Sequence, residues 1–271
     1  MGLKPGTPPE DLVFDNPDLI LQLASAFVEA GSDILLTCTF GGTPLRLKDS
    51  PYGDRAAELN RRAAELARRA ASDRAGVLVA GSMGPTGALM KPYGPLTPEE
   101  VRLSFAEQAR GLAEGGVDFL AIETMFALEE ATCAFEGARS VTDLAIVVSF
   151  SYDRGVRTMM GVKPAQVMNT YRPMGAAVVG GNCGTTLENM EKILGEYSES
   201  APGFPLWAKP NAGLPRMDPA TNSALYDITP EAMAEHAAKY IAAGARVVGG
   251  CCGSSPAHVA AIAGAVHAAV R

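Results

Sequence analysis

The sequence of 271 residues alternates between two kinds of segment, and this alternation constrains the fold more than any other feature. Short runs rich in valine, isoleucine and leucine are each followed by a longer, alanine-rich stretch with an amphipathic pattern. A nearly continuous apolar run is typical of a parallel strand covered on both faces, and the longer stretches predict helices. Seven strands are predicted in this way, within residues 33–40, 77–84, 118–125, 144–153, 176–184, 205–213 and 246–253.

The strand–loop–helix unit recurs without a linker or a low-complexity segment, which predicts a single α/β domain over residues 1–271. A (β/α)8 barrel, also called a TIM barrel, needs eight parallel strands. Because the strand count is short by one at the N-terminal end, we expect the first strand to be missing or supplied elsewhere. An open doubly wound sheet is the alternative, but no Gly-x-Gly-x-x-Gly turn follows the first predicted strand.

Charge and composition narrow the class of protein. The net charge of -7 argues against nucleic acid or an anionic membrane surface as the main partner. The N-terminus lacks the apolar region of a secretory signal, and no apolar run approaches the roughly 20 residues of a membrane span. We therefore expect a cytoplasmic protein, in which the five cysteines stay reduced and serve a metal or catalysis rather than disulfides.

Polar residues collect where the predicted strands end. In a parallel barrel the carboxyl ends of all strands share one face, and that face carries the chemistry. The sequence therefore predicts one polar site assembled from distant parts of the chain. Its candidate residues are Thr39, Ser82, Glu123, Asn182, Cys183, Asn211, Cys251 and Cys252.

Cys183, Cys251 and Cys252 form the most specific part of this set. Three thiolates suit zinc, and they leave its fourth tetrahedral position open, as catalytic zinc sites do. The glycines around the adjacent pair allow the backbone to turn there. A vicinal disulfide or two packed thiols are the alternatives. A thiol bound to zinc becomes a thiolate near neutral pH and can accept a methyl group, while Glu123 could hold a substrate ammonium group.

Seven segments of the chain carry a resemblance to a known family. The chain resembles the homocysteine S-methyltransferases, which include the betaine–homocysteine methyltransferases and the homocysteine domain of cobalamin-dependent methionine synthase. The resemblance covers nearly the whole chain in the expected order. The segments are "LLTCTFGG" (35–42), "AGSMGPTG" (80–87), "AIETM" (121–125), "GGNCG" (180–184), "KPNAGLP" (209–215), "YDITPEAMAEHAAKYIAAGARVVGG" (226–250) and "GGCCGSSPAHV" (249–259).

The resemblance implies a (β/α)8 barrel with a catalytic zinc held by Cys183, Cys251 and Cys252. It implies that Glu123 contacts the amino group of homocysteine, and that "TCTF" and "GSMGPTG", with Thr39 and Ser82, line the same pocket. Asn182 is assigned to this substrate site as well. Asn211 is placed where its amide oxygen could occupy the fourth zinc position until the substrate thiol displaces it.

These implications predict zinc-dependent methyl transfer to homocysteine, giving methionine. The methyl donor stays open among a separate methyl-corrinoid protein, 5-methyltetrahydrofolate through such a protein, S-methylmethionine and a betaine-type compound. The alternative is a zinc-binding barrel subunit that is not catalytic or needs a partner. A barrel enzyme that acts on a phosphorylated substrate is a weaker alternative.

Two features depart from the family pattern. The family opens with a strand that ends in an Asp-Gly-x-Met-Gly type motif, whereas this chain begins at the segment just after that motif. Cys38 stands where the family commonly has asparagine, and we expect it to line the pocket, with a place in the core as the alternative. Cys133 lies in a helical pattern and is predicted to be a packed small apolar residue.

Overall fold

The computed structural model describes residues 8–219, 221 and 223–269, which fall into two compact units. The first unit runs to Glu29 and continues over Asp33–Val147. The second unit contains Ala30–Ser32 and the chain from Val148 onward. The prediction of a single domain over residues 1–271 stays a prediction, and each unit is described by itself.

The first unit contains three of the strands and six helices among its described residues. β1 pairs in parallel with β2, where Ile34 lies opposite Leu78, and β2 pairs in parallel with β3, where Ala80 lies opposite Phe119. The elements are α1 (Leu12–Asp15), α2 (Pro17–Glu29), β1 (Ile34–Leu36), α3 (Pro44–Leu47), α4 (Ala56–Ala71), β2 (Leu78–Met83), α5 (Pro98–Glu114), β3 (Phe119–Met125) and α6 (Leu128–Arg139). β4 (Ala145–Phe150) is divided between the two units.

The helices begin at sequence signals that explain their positions. Thr97 caps α5 by accepting a hydrogen bond from the backbone N–H of Glu100, and the Glu100 carboxylate accepts one from the backbone N–H of Thr97. This reciprocal arrangement satisfies two backbone donors that a helix start otherwise leaves unpaired. In α4 the alanines and leucines of one face are buried, while its arginines pair with glutamates on the surface, as Arg61 does with Glu65.

The second unit continues the alternation of strands and helices. β5 pairs in parallel with β6, where Val179 lies opposite Leu206. β6 also pairs in parallel with β9, with Leu206 opposite Ala245 and an irregularity after that residue. The elements are α7 (Pro164–Tyr171), β5 (Val178–Asn182), α8 (Leu187–Ser200), β6 (Leu206–Lys209), β7 (Arg216–Met217), β8 (Ala224–Leu225), α9 (Pro230–Ala242), β9 (Ala245–Val248) and α10 (Pro256–Ala269).

The strands agree with the predicted α/β class. Each of β1–β6 lies inside one of the seven predicted segments, and β9 begins one residue before the last of them, so the part of the chain that the structure describes contains seven of the eight strands of a (β/α)8 barrel. Residues 1–7, which precede these strands, lie outside the described residues. None of the helices in the described ranges is both long and apolar enough to cross a membrane.

Two details differ from the predictions. β7 and β8 form a short antiparallel ribbon that the sequence pattern did not indicate. The last strand was predicted to run through residue 253, but β9 ends at Val248. The adjacent cysteines therefore lie in a loop, because the glycines on either side of them do not continue the strand and Gly253 has a φ of +80°.

Candidate functional site

The three cysteines of the predicted metal site come together in the second unit. Their sulfur atoms all lie within 4.8 Å of one another, and the Sγ atoms of Cys183 and Cys252 are 3.8 Å apart. Cys183 follows β5, whereas Cys251 and Cys252 follow β9. Because both strands pair with β6, their carboxyl ends lie two strand spacings apart, about 10 Å, and the loops close the remaining gap.

A tight turn directs the chain at Cys183. The backbone N–H of Cys183 donates to the carbonyl of Lys209 at 3.0 Å, and the N–H of Thr185 donates back to the carbonyl of Cys183 at 2.7 Å. Cys183 has a φ of +59° and Gly184 a φ of +61°, in the left-handed region that few residues with side chains adopt. A side chain at residue 184 would also lie 2.3 Å from the Ser151 hydroxyl oxygen, so the close approach and the φ together favour glycine there.

The adjacent cysteines are held by the loop that follows β6. The N–H of Cys251 donates to the carbonyl of Pro210 at 2.8 Å, and the N–H of Cys252 donates to Oδ1 of Asn211 at 3.0 Å. The N–H of Ala212 donates in turn to the carbonyl of Cys252 at 2.9 Å. Neighbouring side chains on a regular strand point to opposite faces. In this loop, both sulfurs reach the same cluster.

Gly253→Ala tests how strongly this loop depends on its glycine. The new Cβ would lie 2.2 Å from Cγ of Tyr226, and the φ of +80° is itself unfavourable for alanine. We expect the free energy of unfolding to fall by about 2 kcal/mol or more, and the Tm to fall by several degrees. Thermal unfolding followed by circular dichroism measures this change.

Gly195→Ala is the matched control for that measurement, since it lies in α8 and a Cβ there would meet nothing within 4 Å. Its Tm should equal or exceed that of the unaltered chain, because alanine favours a helix interior. A Gly253→Ala protein that unfolds at the control's temperature would contradict the expected constraint.

The electrostatics of the cluster favour a cation among the sulfurs. The pKa of Cys251 is raised above its ordinary value, chiefly because its thiol shares a hydrogen bond with Cys183 and also because it is buried. Three neighbouring thiols therefore do not all ionise by themselves, whereas a bound divalent cation would stabilise the three thiolates.

The spacing of the sulfurs also fits a metal ion. Zinc–sulfur bonds of about 2.3 Å in a regular tetrahedron place the sulfurs about 3.8 Å apart. The 3.8 Å between Cys183 and Cys252 has this value, so the residues present fit a tetrahedral zinc ion.

The two asparagines predicted to bind substrate both contact the cysteines. Asn182 is fully buried; its Oδ1 accepts a hydrogen bond from the Ser149 hydroxyl at 2.6 Å, and its Nδ2 lies 3.9 Å from the Cys251 sulfur. Asn211 accepts the N–H of Cys252 through its side-chain oxygen. Each asparagine therefore fixes the position of a cysteine in this structure.

The remaining predicted site residues lie together in the first unit, at the ends of β1, β2 and β3. The Ser82 hydroxyl donates to Oε1 of Glu123 at 2.6 Å, and the Thr39 hydroxyl donates to the carbonyl of Ser82 at 2.7 Å. Thr37, which belongs to the "TCTF" segment expected to line the pocket, accepts from the N–H of Ser82 at 2.9 Å. All of these side chains are buried. A buried carboxylate oriented by neighbouring hydroxyls is suited to a cationic group.

Glu130 is a second buried carboxylate that sequence reasoning missed. It lies on α6 and accepts the N–H and the hydroxyl of Thr86 at 2.8 and 2.7 Å, and burial raises its pKa. It therefore anchors the "GSMGPTG" segment from outside the predicted pocket. No signal in a helical pattern distinguishes this glutamate from its exposed neighbour Glu129.

The two other cysteines have structural positions. Cys38 packs against the core cluster that contains Val13 and Leu59, and its sulfur donates to the carbonyl of Pro9 at 3.6 Å. Burial raises the pKa of this thiol to about 12. Cys38 thus takes the core position that was the alternative to pocket lining. Cys133 is buried on α6, which agrees with its predicted packing role.

The arrangement of strands and helices is shared with solved structures. The metallated form of the homocysteine methyltransferase MmuM from Escherichia coli is similar with a TM-score of 0.82 and 23% sequence identity, over 97% of this chain and 90% of that chain. The apo form of the same protein is similar with a TM-score of 0.73 and 22% sequence identity, over 96% of this chain and 90% of that chain. The chain thus has the α/β barrel fold of these proteins.

The sequence identifies the family within that fold. Residues 6–266 match the family model described as homocysteine S-methyltransferase, and the chain belongs to this family of methyltransferase enzymes. Methionine synthase from Mycobacterium tuberculosis is 31% identical over 260 residues, which are 92% of this chain and 22% of that protein. Methionine synthase from Mycobacterium leprae is 31% identical over 260 residues, which are 92% of this chain and 21% of that protein. The chain spans about a fifth of the length of these curated relatives.

Proposed function

We propose that this chain transfers a methyl group to the thiol of homocysteine and gives methionine, with zinc held by Cys183, Cys251 and Cys252. The observation that carries the proposal is the meeting of three sulfurs within 4.8 Å, from segments far apart in sequence. When bound, the zinc ion would lower the pKa of the homocysteine thiol, so that the substrate is a thiolate near neutral pH. A reducing cytoplasm would keep the cysteines free to bind it.

The residues of the first unit are assigned to the amino acid part of the substrate. Glu123 is proposed to bind the ammonium group, since it is a buried carboxylate at a strand end. Ser82 and Thr39 would orient it, because the Ser82 hydroxyl donates to Glu123 and the Thr39 hydroxyl fixes the Ser82 backbone.

The residues of the second unit are assigned to the thiol. Asn182, whose Nδ2 lies near the Cys251 sulfur, and Asn211, whose Oδ1 accepts from the N–H of Cys252, hold the cysteine cluster in place. The Asn211 oxygen has a second lone pair beyond the one that accepts from Cys252, and we propose that it would serve as the fourth ligand of a bound zinc ion in the absence of the substrate thiol.

The reaction is a displacement at a methyl carbon. The homocysteine thiol loses its proton, its sulfur forms a bond to the methyl carbon, and the bond between that carbon and the donor breaks, with the electron pair leaving on the donor. We propose a methyl-corrinoid protein as the donor, with S-methylmethionine and a betaine-type compound as the other candidates. Methionine formation measured with each donor separates them. Zinc and homocysteine binding without turnover on any donor would instead indicate a barrel subunit that needs a partner.

X-ray absorption at the zinc edge tests the metal and the acceptor together. We expect one zinc per chain, with three sulfur ligands and one oxygen ligand in the free protein. Adding homocysteine should change the coordination to four sulfurs, because the substrate thiol takes the open position. Methionine, in which the sulfur is already methylated, is the control and should not produce the all-sulfur pattern. Purified protein without zinc, or coordination that homocysteine does not alter, would contradict the proposed function.

A further inference from the structure

Two buried side-chain amides, on α4 and α5, have no role in the function proposed so far. Asn60 on α4 and Gln108 on α5 are both fully buried in the first unit. Nε2 of Gln108 donates to the carbonyl of Thr39 at 2.7 Å and to the carbonyl of Ser82 at 3.3 Å. Gln108 therefore connects the segment after β1 with the end of β2, and both of these carry predicted substrate-binding residues.

The orientation of both amides follows from the groups that they contact. Backbone carbonyls only accept hydrogen bonds, so the NH2 group of an amide must face them. The NH2 group of Asn60 donates to the carbonyls of Gly42 and Ala56, both at 2.7 Å. Oδ1 of Asn60 is therefore left to accept from Nε2 of Gln108 at 3.3 Å, which keeps the donor end of the Gln108 amide at the strand ends.

The loop after β1 packs directly on these amides at Gly42. A Cβ added there would lie 2.5 Å from Oδ1 of Asn60, 2.8 Å from Nε2 of Gln108 and 2.9 Å from the carbonyl oxygen of Thr39. The N–H of Gly42 donates to that same carbonyl at 2.9 Å. The two amides and the turn of this loop together fix the position of Thr39.

A short series of hydrogen bonds leads from Gln108 to the carboxylate that is proposed to bind the ammonium group. The Thr39 hydroxyl donates to the Ser82 carbonyl at 2.7 Å, and this is the carbonyl that Gln108 also contacts. The Ser82 hydroxyl donates to Oε1 of Glu123 at 2.6 Å. A shift of the Ser82 backbone would therefore change the direction of the hydrogen bond that orients Glu123.

The hydrogen bonds of Gln108 are not needed to pair the two carbonyls. The Thr39 carbonyl also accepts from the N–H of Gly42, and the Ser82 carbonyl also accepts from the Thr39 hydroxyl. Oε1 of Gln108 has no hydrogen-bond partner among the described residues, and an unpaired buried acceptor is unfavourable. Stability alone therefore does not favour glutamine over an apolar side chain at this position, whereas a connection between the two strand ends requires a donor.

We propose that Gln108 is a positioning residue for the amino acid part of the substrate, whose amide holds the backbone at Thr39 and Ser82 so that Glu123 is directed at the ammonium group. Asn60 contributes by fixing the orientation of the Gln108 amide. This inference rests on the proposed function and adds to it the residues that support the binding site from behind.

Gln108→Met removes the amide and keeps a side chain of similar length. We expect the Kd for homocysteine, measured by isothermal titration calorimetry on the zinc-loaded protein, to rise by about tenfold, because a displaced carboxylate keeps its charge but loses its alignment. The Kd for 4-mercaptobutanoate, which has the thiol and the carboxylate of homocysteine but no ammonium group, should change little. With a donor that supports turnover, the KM for homocysteine should rise while kcat stays nearly unchanged.

Ser104→Ala is the matched control. Ser104 lies one turn before Gln108 on the buried face of α5, and its hydroxyl accepts from the N–H of Leu45 at 3.1 Å. The substitution removes a buried hydrogen bond from the same helix face, so it should lower the Tm but leave both dissociation constants unchanged. Gln108→Leu removes the glutamine amide with a different apolar shape and should reproduce the result of Gln108→Met, which separates loss of the donor from a misfit of methionine.

The ratio of the two dissociation constants decides the test. Partial unfolding weakens the binding of both acceptors by the same factor and leaves their ratio unchanged. A reduced preference for homocysteine in both Gln108 variants supports the inference. If both variants lower the Tm but keep the ratio of the unaltered chain, Gln108 serves the core alone, and the inference is overturned while the proposed function stands. If the unaltered chain binds neither acceptor, the proposed function fails and the inference fails with it.

Discussion

Cys183→Ser is expected to abolish zinc binding and methyl transfer together. A serine hydroxyl stays protonated at neutral pH, so the site would keep two thiolates and lose the charge that holds a divalent ion. Metal activation contributes several kcal/mol to such a reaction, and we expect methionine formation to fall by a factor on the order of 10³ or more. Zinc content by elemental analysis and the rate with a saturating donor are the two measurements.

Cys133→Ser is the matched control, since this cysteine is buried on α6 in the first unit and is not part of the cluster. It should retain one zinc per chain and its activity, whatever its effect on stability. Circular dichroism on Cys183→Ser should show unchanged secondary structure, which separates loss of the ion from loss of the fold. Full zinc occupancy in Cys183→Ser would refute the three-cysteine site.

Glu123→Gln is expected to weaken homocysteine binding while leaving zinc in place. Glutamine has nearly the same size and still accepts the hydrogen bond from Ser82, but it carries no charge to pair with a buried ammonium group. Removing one partner of a buried charge pair costs about 2–5 kcal/mol, so the KM for homocysteine should rise by a factor on the order of 10². Steady-state kinetics measures KM, and elemental analysis measures zinc.

An acceptor without the amino group makes that test sharper. The unaltered chain should prefer homocysteine to 4-mercaptobutanoate, which has the same thiol and carboxylate, and Glu123→Gln should lose most of this preference. Glu129→Gln, at an exposed position near the start of α6, is the control and should behave as the unaltered chain. If Glu123→Gln keeps the preference, the ammonium group is bound elsewhere.

Much of the fold could be predicted because buried strands and helices leave recognisable patterns of apolar residues in the sequence. A strand covered on both faces is apolar throughout, and β2 and β5 follow such runs closely. The ribbon of β7 and β8 could not be predicted, since two exposed residues in each strand leave no pattern. The early end of β9 at Val248 could not be predicted either, since the apolar run and the glycines after it do not specify at which residue the pairing stops.

The candidate site, too, contains some residues that the sequence predicted and others that it did not. The cysteines stand out by residue type, and their positions at the ends of predicted parallel strands indicated that they would come together. Glu130 did not stand out, because its role depends on Thr86, a partner that is 44 residues away in sequence. Glutamate is an ordinary residue in helices, so only its contacts distinguish it.

By itself, the sequence determined the order of strands and helices, the residue types that can bind a soft metal ion, and the family of the chain, because these depend on local periodicity and on chemical identity. Only the tertiary structure decided that Cys183 lies 3.8 Å from Cys252 and that Asn211 holds the cysteine loop. These contacts join segments that are distant in sequence and come together only when the parallel strands pair. No local sequence pattern therefore predicts them.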